Sequence, residues 1–228
     1  MPYKNVQYVI FDIDGLLLDT EKLYEEIIDE VCQHFGGKYT EILRQKILGR
    51  KEQDTATILI KELNLSCSED EFSAYYQASY VKGLEAAELM PGAEKLIKHL
   101  SAHKIPIACA TSSSSLSIPA KTKNHQELFK LMNHVVSGTS DPEVKEGKPS
   151  PDIFLICAAR FPDKPKPDQC LVFEDAPSGV QAAYAAGMQC VMVPDPRIPD
   201  DDRKLATLVL KSLEDFVPEE FGLPPYKN

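Results

Sequence analysis

The chain has 228 residues, 43% apolar and 26% charged, with 35 acidic against 25 basic side chains and a net charge of −10. Such an excess of negative charge argues against nonspecific nucleic-acid binding and against docking on an anionic membrane surface. No apolar run approaches the roughly 20 residues that cross a bilayer, and the N-terminal residues carry no secretory h-region, so a cytoplasmic location is expected; the chain is also expected to be a monomer.

In chain order, the first element is a short apolar run, Tyr8–Phe11, which reads as a strand. It ends abruptly in Asp12-Ile13-Asp14-Gly15. In an open α/β sheet, ligands collect in the crevice beyond the carboxyl ends of the strands. Two carboxylates spaced i, i+2 at such an end supply one group that attacks or holds a metal and one that moves protons. A calcium loop of the EF-hand kind is excluded. Counted from Asp12, the positions that need an oxygen ligand, a glycine and a glutamate are Leu16, Leu17 and Leu23.

Residues 21–34, 40–48, 55–63 and 69–83 read as consecutive helices with no intervening strand. They predict an inserted helical unit over 17–87, separating a core of 1–16 with 88–228. A unit inserted directly after the first strand is expected to act as a lid over the Asp12 crevice. Within it, Gly49, Arg50 and Lys51 lie between two helices, where a basic pair would offset the negative field of the chain. Tyr75, Tyr76 and Tyr80 fall on one helix and read as packing residues.

From residue 92 onward strands and helices alternate. Strands are predicted at 105–110, 133–137, 170–173, 189–193 and 207–210, all near-continuous apolar runs, as parallel strands covered on both faces require. Helices are predicted at 91–103, at 151–160 with Ser150 as N-cap, and at 177–186 with Pro177 in the first turn and Gly187 just past the end. The proline-rich tail 217–228 is expected over the surface. The fold class is α/β, a doubly wound, mostly parallel sheet of Rossmann type. The six cysteines are scattered without a paired motif and read as core filling in a reducing compartment. The five histidines show no ligand spacing.

Three further polar clusters fall at the ends of these elements. Thr111-Ser112-Ser113-Ser114-Ser115 follows a strand and offers hydroxyls and backbone N–H groups to an anion. Gly147-Lys148-Pro149 precedes a helix and offers one restrained cation. Glu174-Asp175 ends another strand and adds a second carboxylate pair. Each alone is compatible with a solvated turn or a helix cap. Together they supply four acids, a hydroxyl loop and a lysine to one sheet edge. Acids so close repel one another unless a hard divalent cation sits among them, and Mg²⁺ takes such ligands together with substrate phosphate. That chemistry points to phosphoryl transfer.

The run Asp12-Ile13-Asp14-Gly15-Leu16-Leu17-Leu18-Asp19-Thr20, then Thr111-Ser112, Gly147-Lys148-Pro149 and Glu174-Asp175, resembles the four ordered motifs of the haloacid dehalogenase-like hydrolase superfamily. The resemblance covers the whole chain, helical cap included. It implies that Asp12 is a nucleophile forming an aspartyl-phosphate and that Asp14 is the general acid and base. It implies further that Thr111, Ser112 and Lys148 bind the phosphoryl oxygens. Mg²⁺ would be held by Asp12, Asp14 (through its backbone carbonyl), Asp175 and Glu174, and Gly49, Arg50 and Lys51 would face the substrate. Asp19 is read as a cap or hinge residue. The implied substrate is a small phosphate monoester. A β-phosphoglucomutase-like phosphotransferase or a sugar-phosphate phosphatase shares these motifs. A metal-free dehalogenase does not need Asp14, Glu174 and Asp175, and a catalytically silent binding protein would have no use for the complete set.

Overall fold

The computed structural model describes residues 3–47 and 52–226. The chain divides into two compact units, one formed by the segment up to Asp19 with Glu88 onward, the other by Thr20–Ala87.

The larger unit is built on six strands, β1 (Tyr8–Phe11), β2 (Ile107–Thr111), β3 (Val135–Ser137), β4 (Cys170–Glu174), β5 (Gln189–Met192) and β6 (Leu208–Val209). Their order across the sheet is β3-β2-β1-β4-β5-β6, and every pairing is parallel. β1 is central. The chain steps from it to β2 and β3 on one side and then returns to β4 on the other, which makes the gap beyond β1 the topological switch point where α/β sheets bind ligands. Phe11 is level with Cys109 on one neighbour and Phe173 on the other. Residues 12, 110 and 174 therefore leave three adjacent strands at nearly the same height.

Alternate residues of the strands cover opposite faces, as strand geometry requires. Tyr8, Ile10, Ala108, Ala110 and Val172 are buried against Ile153, Phe154 and Cys157 of a helix at Asp152–Ala159 and against Val180 and Ala183 of one at Pro177–Ala185. On the other face Phe11 stacks on Phe173 at 5.1 Å, and Phe173 meets Phe216 edge-on at 4.8 Å. The tail is thus more than a surface strap. Pro218, Phe221 and Leu223 are buried, Tyr3 stacks on Phe221 at 4.4 Å, and the Val6 N–H donates to the Phe221 carbonyl at 2.9 Å. The reason is thermodynamic: burying one aromatic side chain contributes about 1.5–3 kcal/mol, and this sheet face needs a cover.

In chain order the helices are α1 (Thr20–His34), α2 (Glu41–Ile47), α3 (Glu52–Leu63), α4 (Glu69–Leu84), α5 (Ala93–Ala102), α6 (Ser117–Lys121), α7 (Gln126–Phe129), α8 (Asp152–Ala159) and α9 (Pro177–Ala185). Pro151, not Ser150, occupies the N-cap of α8. The Ser150 hydroxyl donates to Asp152 Oδ1 at 3.1 Å, because Asp152 Oδ2 already gathers the backbone N–H groups of Lys145 and Glu146.

The smaller unit is α1–α4. Its core is Ile27, Val31, Leu43, Ile47, Ala56, Leu59, Leu65 and Phe72, with Tyr75, Tyr76 and Tyr80 packed against it. α4 opens with a capping box. Ser68 Oγ accepts from the Glu71 N–H at 3.2 Å, and Glu71 Oε2 accepts from the Ser68 N–H at 2.9 Å. Tyr24 and Tyr80 stack at 5.7 Å across α1 and α4. Gly49, Arg50 and Lys51 lie outside the described residues. All six cysteines are free, five of them buried. Among the described residues no helix is long and apolar enough to cross a membrane.

Candidate active site

The strand ladder carries Asp12 to the mouth of the switch point, where its N–H donates to the Phe173 carbonyl at 3.0 Å. Asp12 is 5% exposed. Lys148 reaches it from the loop ahead of α8. Its Nζ lies 2.5 Å from Asp12 Oδ1, 2.6 Å from Glu174 Oε1 and 3.0 Å from the Ala110 carbonyl, over the Phe154 ring. One ammonium thus spans the ends of β1, β2 and β4.

Glu174 closes β4 and is buried. Its Oε2 accepts from the N–H groups of Asp175 and Ala176 at 3.2 and 3.4 Å. Its Oε1 pairs with the Lys148 ammonium at 2.6 Å. Asp12, Glu174 and Asp175 each bring an oxygen within 4.8 Å of the others. Asp12 and Glu174 both pair with the Lys148 ammonium, and Asp175 adds a third carboxylate to the same cluster. The consequence is visible at Asp12. Burial, with the neighbouring Glu174 and Asp14 charges, outweighs the pull of Lys148 and raises its pKa to about 7. Burial pushes the Lys148 ammonium the other way, but the Asp12 and Glu174 carboxylates override it and hold its pKa above the ordinary lysine value. A doubly charged cation is the species such a donor set fits, since three carboxylate oxygens gathered this closely repel one another without one.

Two glycines make the cluster possible. Gly15 turns the chain after the Asp12–Asp14 run at φ +76°, and a Cβ there would lie 2.3 Å from Asp175 Oδ2. Gly179 sits in the first turns of α9, where a Cβ would lie 1.9 Å from the Glu174 carboxyl group. Replacing a helical glycine by alanine usually stabilises by about 1 kcal/mol. Gly179→Ala is expected to reverse that sign and cost about 1–3 kcal/mol by overpacking, while displacing Glu174 and lowering activity. Denaturant midpoints and phosphate release measured on the same preparation check it.

The Asp14 carboxylate turns elsewhere, so it is not part of the acidic cluster. Oδ2 accepts from Ser113 Oγ at 2.7 Å and Thr111 Oγ1 at 3.1 Å, and Oδ1 pairs with Lys121. Ser112 lies exposed on the same loop. The structure therefore brings Asp12, Asp14, Thr111, Ser112, Lys148, Glu174 and Asp175 to one sheet edge. It adds Lys121, which the sequence reading missed, and turns Ser113 of the predicted hydroxyl loop to Asp14. Nothing in the sequence separates Lys121 from a solvated lysine.

A model of the haloacid dehalogenase-like hydrolase family matches residues 6–187. The chain is 46% identical to the probable pseudouridine-5′-phosphatase of Drosophila melanogaster, covering 99% of this chain and 97% of that protein. It is 48% identical to (DL)-glycerol-3-phosphatase 2 of Arabidopsis thaliana, over 98% and 94% respectively. Among solved structures, a candidate β-phosphoglucomutase of Thermotoga maritima superposes with a TM-score of 0.81 at 30% identity, covering 92% of this chain and 96% of that one. The strand order, the motif residues gathered beyond β1, β2 and β4, and these full-length likenesses agree, and the chain belongs to the haloacid dehalogenase-like hydrolase family.

Proposed function

We propose that this enzyme, a phosphoric monoester hydrolase, hydrolyses pseudouridine 5′-phosphate to pseudouridine and phosphate through an aspartyl-phosphate on Asp12. The observation that carries the mechanism is the convergence of Asp12, Lys148, Glu174 and Asp175 in one buried crevice. Asp12, Glu174 and Asp175, with the Asp14 backbone carbonyl, would hold Mg²⁺. That ion, when bound, supplies positive charge that screens the phosphate dianion from the attacking carboxylate.

Asp12 attacks phosphorus, and the ester P–O bond breaks. Asp14 gives its proton to the leaving alkoxide, then takes one from the water that hydrolyses the aspartyl-phosphate. Thr111, the Ser112 N–H and Lys148 bind the phosphoryl oxygens. Both side chains must exchange partners to do so, because Thr111 donates its one hydroxyl proton to Asp14 and Lys148 is already in contact with three oxygens. The unit α1–α4 serves as the cap, with Gly49, Arg50 and Lys51 as substrate contacts.

The likeness to the Drosophila protein supports the leaving group. The comparable identity to the Arabidopsis protein favours glycerol 3-phosphate as the second reading. A phosphate-release screen of pseudouridine 5′-phosphate, uridine 5′-phosphate, hexose phosphates and glycerol 3-phosphate tests both. The highest kcat/KM is expected for pseudouridine 5′-phosphate. A tenfold preference for glycerol 3-phosphate would install the second reading, and hexose phosphate isomerised without phosphate release would point to a mutase.

A further inference from the structure

Lys121 ends α6, and its side chain has no exposed surface. The reaction described above does not use it. Transfer of an ammonium out of water is costly and is retained only where the charge meets a partner. Here the partners are specific. The Lys121 ammonium pairs with Asp14 Oδ1 and donates to Ser113 Oγ at 2.6 Å. Ser113 Oγ in turn donates to Asp14 Oδ2 at 2.7 Å, so the two residues hold both oxygens of one carboxylate.

The clamp is anchored in the sheet. The Ser113 N–H donates to Thr111 Oγ1 at 3.0 Å, and the Ser113 carbonyl accepts from Ser137 Oγ at 2.6 Å, at the end of β3. Asp14 keeps 20% of its side chain exposed, whereas Lys121 keeps none. Substrate can therefore meet Asp14 but not Lys121.

We propose that Lys121 is a positioning residue, which through its pairing with Asp14 and Ser113 fixes the carboxyl group that, when protonated, gives its proton to the leaving oxygen. The inference rests on the reading of Asp14 as general acid. In the step concerned, the Asp12 O–P bond forms, the ester P–O bond breaks, and the Asp14 proton passes to the departing alkoxide.

Leaving-group dependence tests it. The steady-state ratio kcat/KM covers the steps up to transfer onto Asp12 and omits the later attack of water. Pseudouridine 5′-phosphate and glycerol 3-phosphate release alkoxides that need the proton, and p-nitrophenyl phosphate releases a phenolate that does not. Positioned general acids contribute about 10²–10⁴-fold. Lys121→Met is expected to lower kcat/KM on the alkyl esters by about 10²-fold and on the aryl ester by less than about 3-fold.

Asp14→Asn provides the reference. If it does not discriminate between the two ester types, the acid assignment fails and the inference with it. If Asp14→Asn discriminates while folded Lys121→Met loses equally on both esters, or loses nothing, the positioning role alone is overturned. Should Lys121→Met not fold, Ser113→Ala removes the bridging hydroxyl and leaves the buried charge in place. A selective loss of about tenfold on alkyl esters supports the inference, and an equal loss, or none, overturns it.

Discussion

Asp12→Asn is expected to lower phosphate release by at least about 10⁴-fold, in line with removal of a nucleophile from a cooperating set, while the protein stays folded. The amide has the shape of the carboxylate but cannot form the acyl phosphate. Stability should change little because two effects oppose. Lys148 loses one of its anionic partners but keeps Glu174. The remaining acids lose a like-charged neighbour, and repulsion among them is part of what raises the Asp12 pKa. Circular dichroism melts paired with phosphate release measure both quantities. Substantial turnover by the folded variant would remove the covalent intermediate from the mechanism.

The second large effect is expected from metal removal. Treatment with a chelator should reduce turnover by more than about 10²-fold, and Mg²⁺ should restore it. The expectation comes from charge. Asp12, Glu174 and Asp175 bring oxygens within 4.8 Å of one another, and like charges so close repel without a cation among them. A readout independent of turnover is thermal stability. A ligand that binds only the folded chain stabilises it by about 2.7 kcal/mol at a hundredfold excess over its Kd. Mg²⁺ should accordingly raise the unfolding temperature of the native protein, and Glu174→Gln combined with Asp175→Asn should abolish the rise. Full turnover in chelator, with no thermal shift, would eliminate the metal.

Much of this arrangement is legible in the sequence because it depends on local order. An apolar run that stops at Asp12, a second that stops at Thr111 and a third that stops at Glu174 mark strand ends, and parallel strands end on a common edge. The i, i+2 spacing of Asp12 and Asp14 keeps both on one turn. What could not be read are pairings created by tertiary contact. Lys121 lies in a five-residue helix with no periodicity to reveal that it is buried. Ser113 and Ser112 are the same residue type one position apart, and only the fold decides that Ser113 turns to Asp14. Phe221 sits in a proline-rich stretch that resembles a solvated tail until the uncovered sheet face is seen.

The prior engagements of Thr111 and Lys148 have a thermodynamic corollary. A newcomer anion gains only the difference between its own contacts and those it displaces, so its net affinity is modest even though the crevice holds a strong cation. The liberated phosphate meets the same competition. Product inhibition by inorganic phosphate should therefore be weak, and steady-state inhibition measurements would reveal a tight product complex if the exchange did not operate.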